Sequence, residues 1–282
     1  MNIEIKDLTK EFDTFKLNNI NINIPKGKII GLIGENGAGK TTLIKCILDI
    51  LTDYKGTIKF DNKELSDEIK NNIGVVFDNA FINEQYTPEY INIIMKSIYK
   101  NWDQVKYYKY LKSYNIPLKK EIKKLSTGMK KKLEIAVALS HNPKLLILDE
   151  PTSGLDPVMR SEVLDMFEEF VDNKENSILL STHITSDLEH IADDIIFISN
   201  GEIVFNKPLK NIKNDYISLE LTKEEFEKFD KDIIIRYKKN RLDYQVLINK
   251  KDMKKSYEKY IKNITTLDDI MLLYIRGAVC GD

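Results

Sequence analysis

The chain has 282 residues, of which 42% are hydrophobic and 31% charged, and its formal net charge is −1. This composition is typical of a folded protein of one or two domains, and it excludes intrinsic disorder as the main state. The near-balance of charge argues against a protein built wholly to bind nucleic acid, since such a protein needs an excess of cationic side chains. Two distant cysteines, Cys46 and Cys280, indicate neither a disulfide framework nor a zinc site.

The sequence also bears on the relation of the chain to a membrane. No segment has the roughly 20 consecutive apolar residues that a membrane-spanning helix needs. The first residues lack the apolar run of a signal peptide. We therefore expect a cytoplasmic protein.

Short apolar runs that alternate with amphipathic segments predict an α/β fold. Residues 1–24 predict strands that end in a turn, and the run 29–34 predicts a buried strand because it is short and bounded by glycines. A helix is predicted next, from about residue 41, by apolar residues spaced three and four apart. Further strands are predicted at 73–77, 145–149 and 177–182, with helices at 158–170 and 186–191. Such alternation implies a mostly parallel sheet covered by helices.

Three regions depart from this alternation. Residues 84–139 contain helical patterns only, which predicts a helical insertion. Asn200-Gly201 lies between two apolar runs and is a strong hairpin signal. Beyond Pro208 the pattern predicts a small α+β appendix, in which a capping box at Thr222 begins a helix.

The segment Gly34–Thr41 matches the pattern G-x-x-x-x-G-K-[ST] between a predicted strand and a predicted helix. Glycines let the backbone N–H groups point inward, and the helix N-terminus adds partial positive charge, so phosphate is the natural ligand. Lys40 would neutralise the β and γ phosphates, and the hydroxyl of Thr41 would coordinate Mg²⁺. The alternative is a glycine-rich turn that only joins strand to helix.

A buried strand delivers two adjacent acids, Asp149 and Glu150, at its C-terminal end. That end is where α/β sheets bind ligands. One acid there can hold Mg²⁺, and the other can accept a proton from an attacking water. An acid pair is common on solvated loops, but together with the phosphate-binding loop it indicates a nucleotide-hydrolysis site.

The order of these motifs resembles that of the ATP-binding cassette (ABC) ATPases over residues 1–210. Leu125–Met129 stands where that family has its LSGGQ signature, and Ser181–His183 ends a strand as the family's switch histidine does. Pro151–Asp156 follows the acids as the family's D-loop does. The resemblance implies a P-loop NTPase cassette, with a RecA-like core, an antiparallel β subdomain and a helical insertion at about 84–139. On this basis we expect a nucleotide-binding domain at 1–211 and a C-terminal accessory domain at 212–282.

The resemblance also implies roles for individual residues. Glu150 would be the general base, and His183 would contact the γ-phosphate and help to hold the attacking water. Thr41, Asp149 and Asp78 would contact Mg²⁺, although the family usually has Gln where this chain has Asp78. Phe12 would stack on adenine, with Phe15 as a rival. Other nucleotide contacts are implied for the same chain at Asn36, Gly37, Ala38, Gly39, Lys40, Thr41, Thr42 and Asp156, and across a dimer at the partner chain's Ser126 and Gly128.

The family assignment implies an ATP-binding and ATP-hydrolysing subunit of a transporter, with ATP and Mg²⁺ as cofactors. Its partners would be a second ATPase subunit, identical or different, and separate integral membrane permease subunits. The variant signature with Thr127 and Met129 resembles the group that serves ABC-2-type exporters, which suggests export of a peptide, antibiotic or similar amphipathic compound. The alternatives are an ABC ATPase that acts on nucleic acid or ribosomes, and a regulatory ATPase. Only 84 residues separate Lys40 from Leu125, which leaves no room for the long coiled coils of DNA-repair members.

Positive charge is concentrated in the predicted insertion. Residues 96–132 contain twelve lysines and two acids, a local net charge of +10. A solvated helical face is the usual reason for such a run. We interpret it as a possible contact with an anionic membrane surface, where the protein would lie at the inner face of the membrane. Aromatic residues between the lysines also suit single-stranded nucleic acid, but we expect most of these rings to pack internally, and no nucleic-acid partner is expected.

Overall fold

A computed structural model describes residues 1–78 and 82–280. The chain divides into two compact units: the first comprises Met1–His183 and Ile196–Asn206, and the second comprises Ile184–Ile195 and Lys207–Asp282. The sequence-based boundary between residues 211 and 212 rests on motifs and stays a prediction.

The first unit is built around a six-stranded sheet in the order β5-β6-β7-β3-β8-β9. Its strands are β3 (Ile29–Ile33), β5 (Ile73–Val76), β6 (Leu145–Asp149), β7 (Ser177–Thr182), β8 (Asp194–Ser199) and β9 (Glu202–Pro208). The pairs β3 with β7, β5 with β6, and β6 with β7 are parallel, so these four strands end at one edge of the sheet. Their central residues are buried on both sides, which explains the continuous apolar runs in the sequence.

A three-stranded antiparallel sheet in the order β2-β1-β4 completes the β structure of this unit. Its strands are β1 (Ile3–Glu11), β2 (Lys16–Ile24) and β4 (Lys55–Phe60). Their inward residues form one apolar core with α1 (Lys40–Ile47), the helix that follows the phosphate-binding loop. β4 was not predicted from the sequence, because only two of its six side chains are buried.

The remaining helices of the first unit are α2 (Asp67–Lys70), α3 (Pro88–Ile98), α4 (Gln104–Ser113), α5 (Thr127–Leu139) and α6 (Pro157–Asp172), with a 3-10 turn at Ile122–Lys124. The described part of the insertion is thus helical and has its own apolar core, in which Tyr107 is fully buried. Five more aromatic residues pack against that core: Tyr86, Trp102, Tyr108, Tyr110 and Tyr114.

The turn between β8 and β9 confirms the hairpin signal. Asn200 and Gly201 have φ angles of 49° and 76°, the left-handed conformation that a two-residue hairpin turn requires. The Gly201 N–H donates to the Ala38 carbonyl at 3.1 Å, so the hairpin also supports the phosphate-binding loop.

The second unit contains the helix α7 (Thr185–Ile191) and the C-terminal appendix. The appendix has a three-stranded antiparallel sheet in the order β10-β12-β11. Its elements are α8 (Leu209–Asp215), β10 (Tyr216–Leu221), α9 (Lys223–Lys228), β11 (Ile234–Lys239), β12 (Tyr244–Asn249) and α10 (Leu267–Arg276). The predicted capping box is present, with Thr222 and Glu225 each bonded to the other's backbone N–H. Within the described residues, no helix is both long and apolar enough to span a bilayer.

Candidate functional site

The phosphate-binding loop joins β3 to α1 through two glycines in conformations that other residues rarely adopt. Gly37 has φ of 84° and Gly39 has φ of 109°. A Cβ atom on Gly39 would also lie 2.7 Å from the Leu17 side chain and 2.8 Å from the Phe15 ring. No side chain caps α1, so the first N–H groups of this helix can bind an anion.

The Lys40 ammonium lies inside this loop. Its Nζ donates to the carbonyl oxygens of Gly34 at 2.8 Å and of Glu35 at 3.2 Å. Lys40 is 6% exposed, and burial lowers its pKa, an effect opposed by the nearby carboxylates of Glu150, Asp149 and Glu35. A partly desolvated cation among aligned N–H groups is suited to bind a polyphosphate.

Asp149 ends β6 and is held by hydroxyl groups from two other elements. The Thr41 Oγ1 hydroxyl donates to Asp149 Oδ2 at 2.8 Å, and the Ser181 hydroxyl donates to Asp149 Oδ1. Ser181 is placed there because it pairs with Asp149 in the parallel register of β6 and β7. Asp149 is 2% exposed, so this carboxylate is fixed in position. The sequence analysis missed the role of Ser181, which only the strand register could have indicated.

Glu150 and His183 lie together at the ends of β6 and β7. Glu150 has φ of 50°, and its N–H donates to the Ser181 carbonyl at 2.9 Å. One carboxylate oxygen of Glu150 accepts from His183 Nδ1 at 2.8 Å, and the other lies 3.8 Å from Lys40 Nζ. The Glu150 side chain is 13% exposed, whereas that of His183 is 50% exposed. An acid is thus held between a buried cation and an accessible imidazole.

These groups line a cleft of about 240 Å³ at the ends of the strands. Its lining residues are Phe15, Glu35, Asn36, Gly37, Gly39, Lys40, Thr41, Thr42, Asp78, Asp149 and Glu150. The oxygen atoms of Thr41, Asp149 and Asp78 form a donor set that suits Mg²⁺, a cation that prefers oxygen ligands. Lys40, Thr41, Asp149, Glu150 and Asp78 therefore line one cleft, and the roles that the resemblance implies for them stay predictions.

The two phenylalanines near this cleft differ in position. Phe15 is one of its lining residues, whereas Phe12 is not and is 44% exposed. Their ring centroids are 6.3 Å apart. The assignment of Phe12 to adenine stacking stays a prediction, and the geometry favours its rival Phe15.

The signature and D-loop residues lie at helix N-termini. Ser126 caps α5 by accepting from the Met129 N–H at 3.3 Å, as the sequence predicts. Asp156 caps α6 by accepting from the N–H groups of Val158 and Met159. A Cβ atom on Gly128 would lie 2.1 Å from the sulfur of Met159. Ser126, Gly128 and Asp156 are not among the described residues that line the cleft, so their nucleotide contacts stay predictions.

Comparisons with known proteins agree with this geometry. The ABC transporter family model matches residues 17–153. The ABC transporter ATP-binding protein YtrB of Bacillus subtilis (strain 168) is 32% identical over 92% of this chain and 91% of YtrB. The lantibiotic transport ATP-binding protein SrtF of Streptococcus pyogenes is 37% identical over 75% of this chain and 93% of SrtF. A solved structure of the ATP binding subunit of an ABC transporter matches with a TM-score of 0.68 and 27% identity, covering 76% of this chain and 92% of that one.

The match to YtrB reaches beyond the part of the chain that carries the motifs. The motifs support the resemblance over residues 1–210, whereas 92% coverage of this chain extends well into the appendix. The motifs could not indicate this, because the appendix carries none of them. The sequence relationships and the shared fold show that this chain belongs to the ABC transporter ATP-binding proteins and is an ATPase of that family.

Proposed function

We propose that two copies of this chain, or this chain and a related subunit, close around ATP and drive export through separate membrane subunits. The observation that carries this proposal is the convergence of Lys40, Glu150 and the Thr41–Asp149 pair in one cleft. His183 does not line that cleft but bonds to the Glu150 carboxylate at its edge. Each group required for hydrolysis is present, so the site is suited to turnover as well as to binding.

Glu150 is the proposed general base. Its carboxylate accepts a proton from the attacking water, and the hydrogen bond from His183 Nδ1 orients it. Lys40 stabilises negative charge on the phosphates, and the N–H groups at the start of α1 bind their oxygens. Asn36, Gly37, Ala38, Gly39 and Thr42 supply the rest of this cradle.

Thr41, Asp149 and Asp78 are the proposed ligands of Mg²⁺. When bound, Mg²⁺ neutralises phosphate charge that builds up during transfer. Ser181 keeps the Asp149 carboxylate in place for this role. Asp78 supplies a charged ligand where the family usually has a neutral amide, so we propose an altered coupling to the membrane subunits.

The size of the cleft supports a site shared between two chains. At about 240 Å³ it is smaller than the roughly 300 to 1,000 Å³ that enclose a complete small ligand. Ser126 and Gly128 of a second chain would complete it, because the capped N-terminus of α5 can meet the γ-phosphate. Asp156 would lie near the same interface, and Phe15 or Phe12 would cover the adenine.

The proposed cargo is a peptide antibiotic or a similar amphipathic compound. The name of the relative SrtF assigns it to lantibiotic transport, and the signature variant resembles that of the ABC-2-type exporter group. The membrane permeases would hold this chain at the inner face of the membrane. A lysine-rich insertion could add contact with anionic lipid, although Lys131 and Lys132 are buried and pair with Glu134 and Glu162.

A nucleic-acid ATPase is the second candidate, and the aromatic residues of the insertion argue against it. Tyr107 is fully buried, and Trp102 donates through Nε1 to Asn92 at 2.9 Å. Rings that pack in a core cannot stack on bases.

The substitution Glu150→Gln tests the proposed mechanism. It removes the base but keeps the size of the side chain, so ATP should still bind while turnover falls at least about 100-fold. The variant should accumulate as an ATP-bound dimer, measured by light scattering after gel filtration. Glu68→Gln, an exposed acid outside the cleft, serves as the matched control and should hydrolyse ATP at the original rate. A Glu150→Gln protein that hydrolyses ATP like the wild type would remove Glu150 from its role.

A further inference from the structure

The second unit carries a basic surface formed by residues 250–264, which we call the lysine segment. It contains six lysines, all exposed: Lys250, Lys251, Lys254, Lys255, Lys259 and Lys262. Only two acids, Asp252 and Glu258, interrupt them. Among the described residues, these lysines form one ion pair, in which Lys254 Nζ lies 3.4 Å from an Asp230 carboxylate oxygen.

The backbone of the lysine segment is anchored to the core of its unit. Met253, Tyr257 and Tyr260 pack against the apolar cluster on one face of the sheet. The ring centroids of Tyr257 and Phe229 are 4.7 Å apart. Two 3-10 turns, Lys250–Asp252 and Lys255–Tyr260, contain four of the six lysines, and the second turn also contains two of the anchoring side chains. The positive charges are therefore presented on a fixed backbone.

The other face of the same sheet is already covered within the unit. There α10 packs, with Tyr274 against Tyr216 at a centroid distance of 6.4 Å and Asp269 accepting from Gln245 Nε2 at 3.3 Å. The residues of β12 alternate between the faces, so Gln245 lies toward α10 while Val246 joins the cluster beneath the lysine segment. The lysine segment thus forms the outer layer on its face together with α9, whose Phe226 packs against the same cluster.

Two apolar side chains project beside the lysines. Ile264 is 90% exposed and Ile261 is 38% exposed. An isoleucine side chain that is exposed to water is unfavourable, because its apolar surface is not buried. Exposed apolar side chains among lysines are typical of segments that bind at a membrane surface. The phosphates of a nucleic acid could bind the lysines, but a nucleic acid would leave the two isoleucines exposed. The rings of Tyr257 and Tyr260 pack against the core, so they are not available to stack on bases.

We propose that the lysine segment binds the anionic surface of a lipid bilayer. The ammonium groups would contact lipid phosphates, and Ile261 and Ile264 would insert among the headgroups. This interaction is independent of the nucleotide chemistry and of the lysines in the helical insertion.

Vesicle sedimentation of the full chain tests this proposal. The wild type should sediment with vesicles of phosphatidylcholine and phosphatidylglycerol, and much less with phosphatidylcholine alone or at high salt. The triple variant Lys251→Glu/Lys255→Glu/Lys262→Glu should lose about 100-fold in apparent affinity, since each lysine contributes electrostatic attraction near an anionic surface. The triple variant Lys109→Glu/Lys112→Glu/Lys119→Glu changes the charge equally in the insertion and should lose far less.

A second pair of variants tests the apolar contact. Ile261→Ser/Ile264→Ser should weaken binding about tenfold, whereas Leu242→Ser, at a side chain that is 86% exposed elsewhere on the same unit, should not. Circular dichroism and the thermal unfolding midpoint, which report on both units, check that every variant is folded, and ATP hydrolysis, which uses none of these residues, should be unchanged.

Two results would overturn the proposal. In one, the lysine-segment triple variant binds anionic vesicles like the wild type. In the other, the wild type binds polyuridylic RNA more tightly than the vesicles and the same triple variant abolishes that binding.

Discussion

At the scale of single residues, the backbone at the end of β6 separates the roles of two adjacent acids. Asp149 keeps the strand conformation and stays in the sheet, bonded to Thr41 and Ser181. Glu150 takes a left-handed φ of 50°, which costs on the order of 1 kcal/mol and turns its side chain toward His183 and Lys40. One dipeptide therefore places the proposed metal ligand and the proposed base in two different environments.

The sequence predicted these residues because each lies in a motif of fixed spacing at a strand end. It did not predict what holds them in place. Ser181 acts through the register of neighbouring strands, and Phe15 lines the cleft because β2 begins just beyond it. Such relations depend on pairing between distant segments, which a local pattern does not encode.

His141 is a buried histidine outside the site, and it gives a prediction about pH. It is 1% exposed, its Nε2 donates to the Ile73 carbonyl at 3.2 Å, and its ring stacks on Tyr99. Burial lowers its pKa to about 4. Above the ordinary value of about 6.5, neither the folded nor the unfolded chain is protonated here. As the pH falls below that value, the unfolded chain takes up a proton that the folded chain refuses until about pH 4, so stability decreases.

Between about pH 7.5 and about pH 5, this effect should lower the free energy of unfolding of the wild type by about 2 kcal/mol more than that of His141→Gln. Urea denaturation at the two pH values measures the difference. Asn101→Gln, an exposed substitution that changes no titratable group, is the control and should follow the wild type. Equal pH dependence in the wild type and His141→Gln would contradict the assignment.

At the level of secondary-structure elements, Lys131 on α5 belongs to a buried ion pair and also connects this helix to the residue before Asp78. Lys131 Nζ lies 3.2 Å from Glu134 Oε2, with side chains 9% and 12% exposed. The same Nζ donates to the Phe77 carbonyl at 3.2 Å. Burial raises the pKa of Glu134, and the nearby Lys131 opposes that effect. The helix whose N-terminus carries Ser126 is therefore bonded to the segment that carries a proposed metal ligand.

Removing one partner of this pair should destabilise the protein more than removing both. Lys131→Met leaves a buried carboxylate without its cation and should cost about 3 kcal/mol of unfolding free energy. The double variant Lys131→Met/Glu134→Leu should recover most of that loss. Lys130→Met, which breaks a more exposed pair with Glu84, should cost less than about 1 kcal/mol. Denaturant unfolding measures all three, and a double variant no more stable than Lys131→Met would refute this view of the pair.

The elements themselves were predictable to different degrees. The parallel strands were evident because burial on both faces gives continuous apolar runs, and the hairpin because Asn200-Gly201 suits a positive φ. The strand β4 was not predictable, since its residues are mostly exposed and only its pairing with β1 makes it a strand. The buried partners of Lys131 were also hidden, because a run of lysines usually indicates a solvated face.

At the scale of the whole molecule, charge is distributed unevenly between regions of a nearly neutral chain. The insertion and the lysine segment are basic, although the formal net charge is only −1. The structure refines the first of these regions, since two of its lysines are buried in ion pairs. The second could not be predicted from charge alone, because its significance depends on Tyr257 and Tyr260 anchoring the segment to the core.

In the proposed dimer two chains share each ATP, so that the phosphate-binding loop of one chain meets the signature of the other. A site-directed cross-link tests this arrangement, in a Glu150→Gln background that should retain ATP. Asn36→Cys and Thr127→Cys introduce exposed thiols on the loop and the signature. Cys280→Ser removes one native thiol, whereas Cys46 can stay because it is fully buried and burial raises its pKa to about 11.

With ATP, Mg²⁺ and added oxidant (copper–phenanthroline with dissolved oxygen), the two thiols should be oxidised to a disulfide between chains, seen as a covalent dimer on a non-reducing gel. The dimer should be absent without nucleotide and absent from each single-cysteine variant. Nucleotide-independent cross-linking, or a protein that binds ATP and remains a monomer without any cross-link, would contradict the shared site.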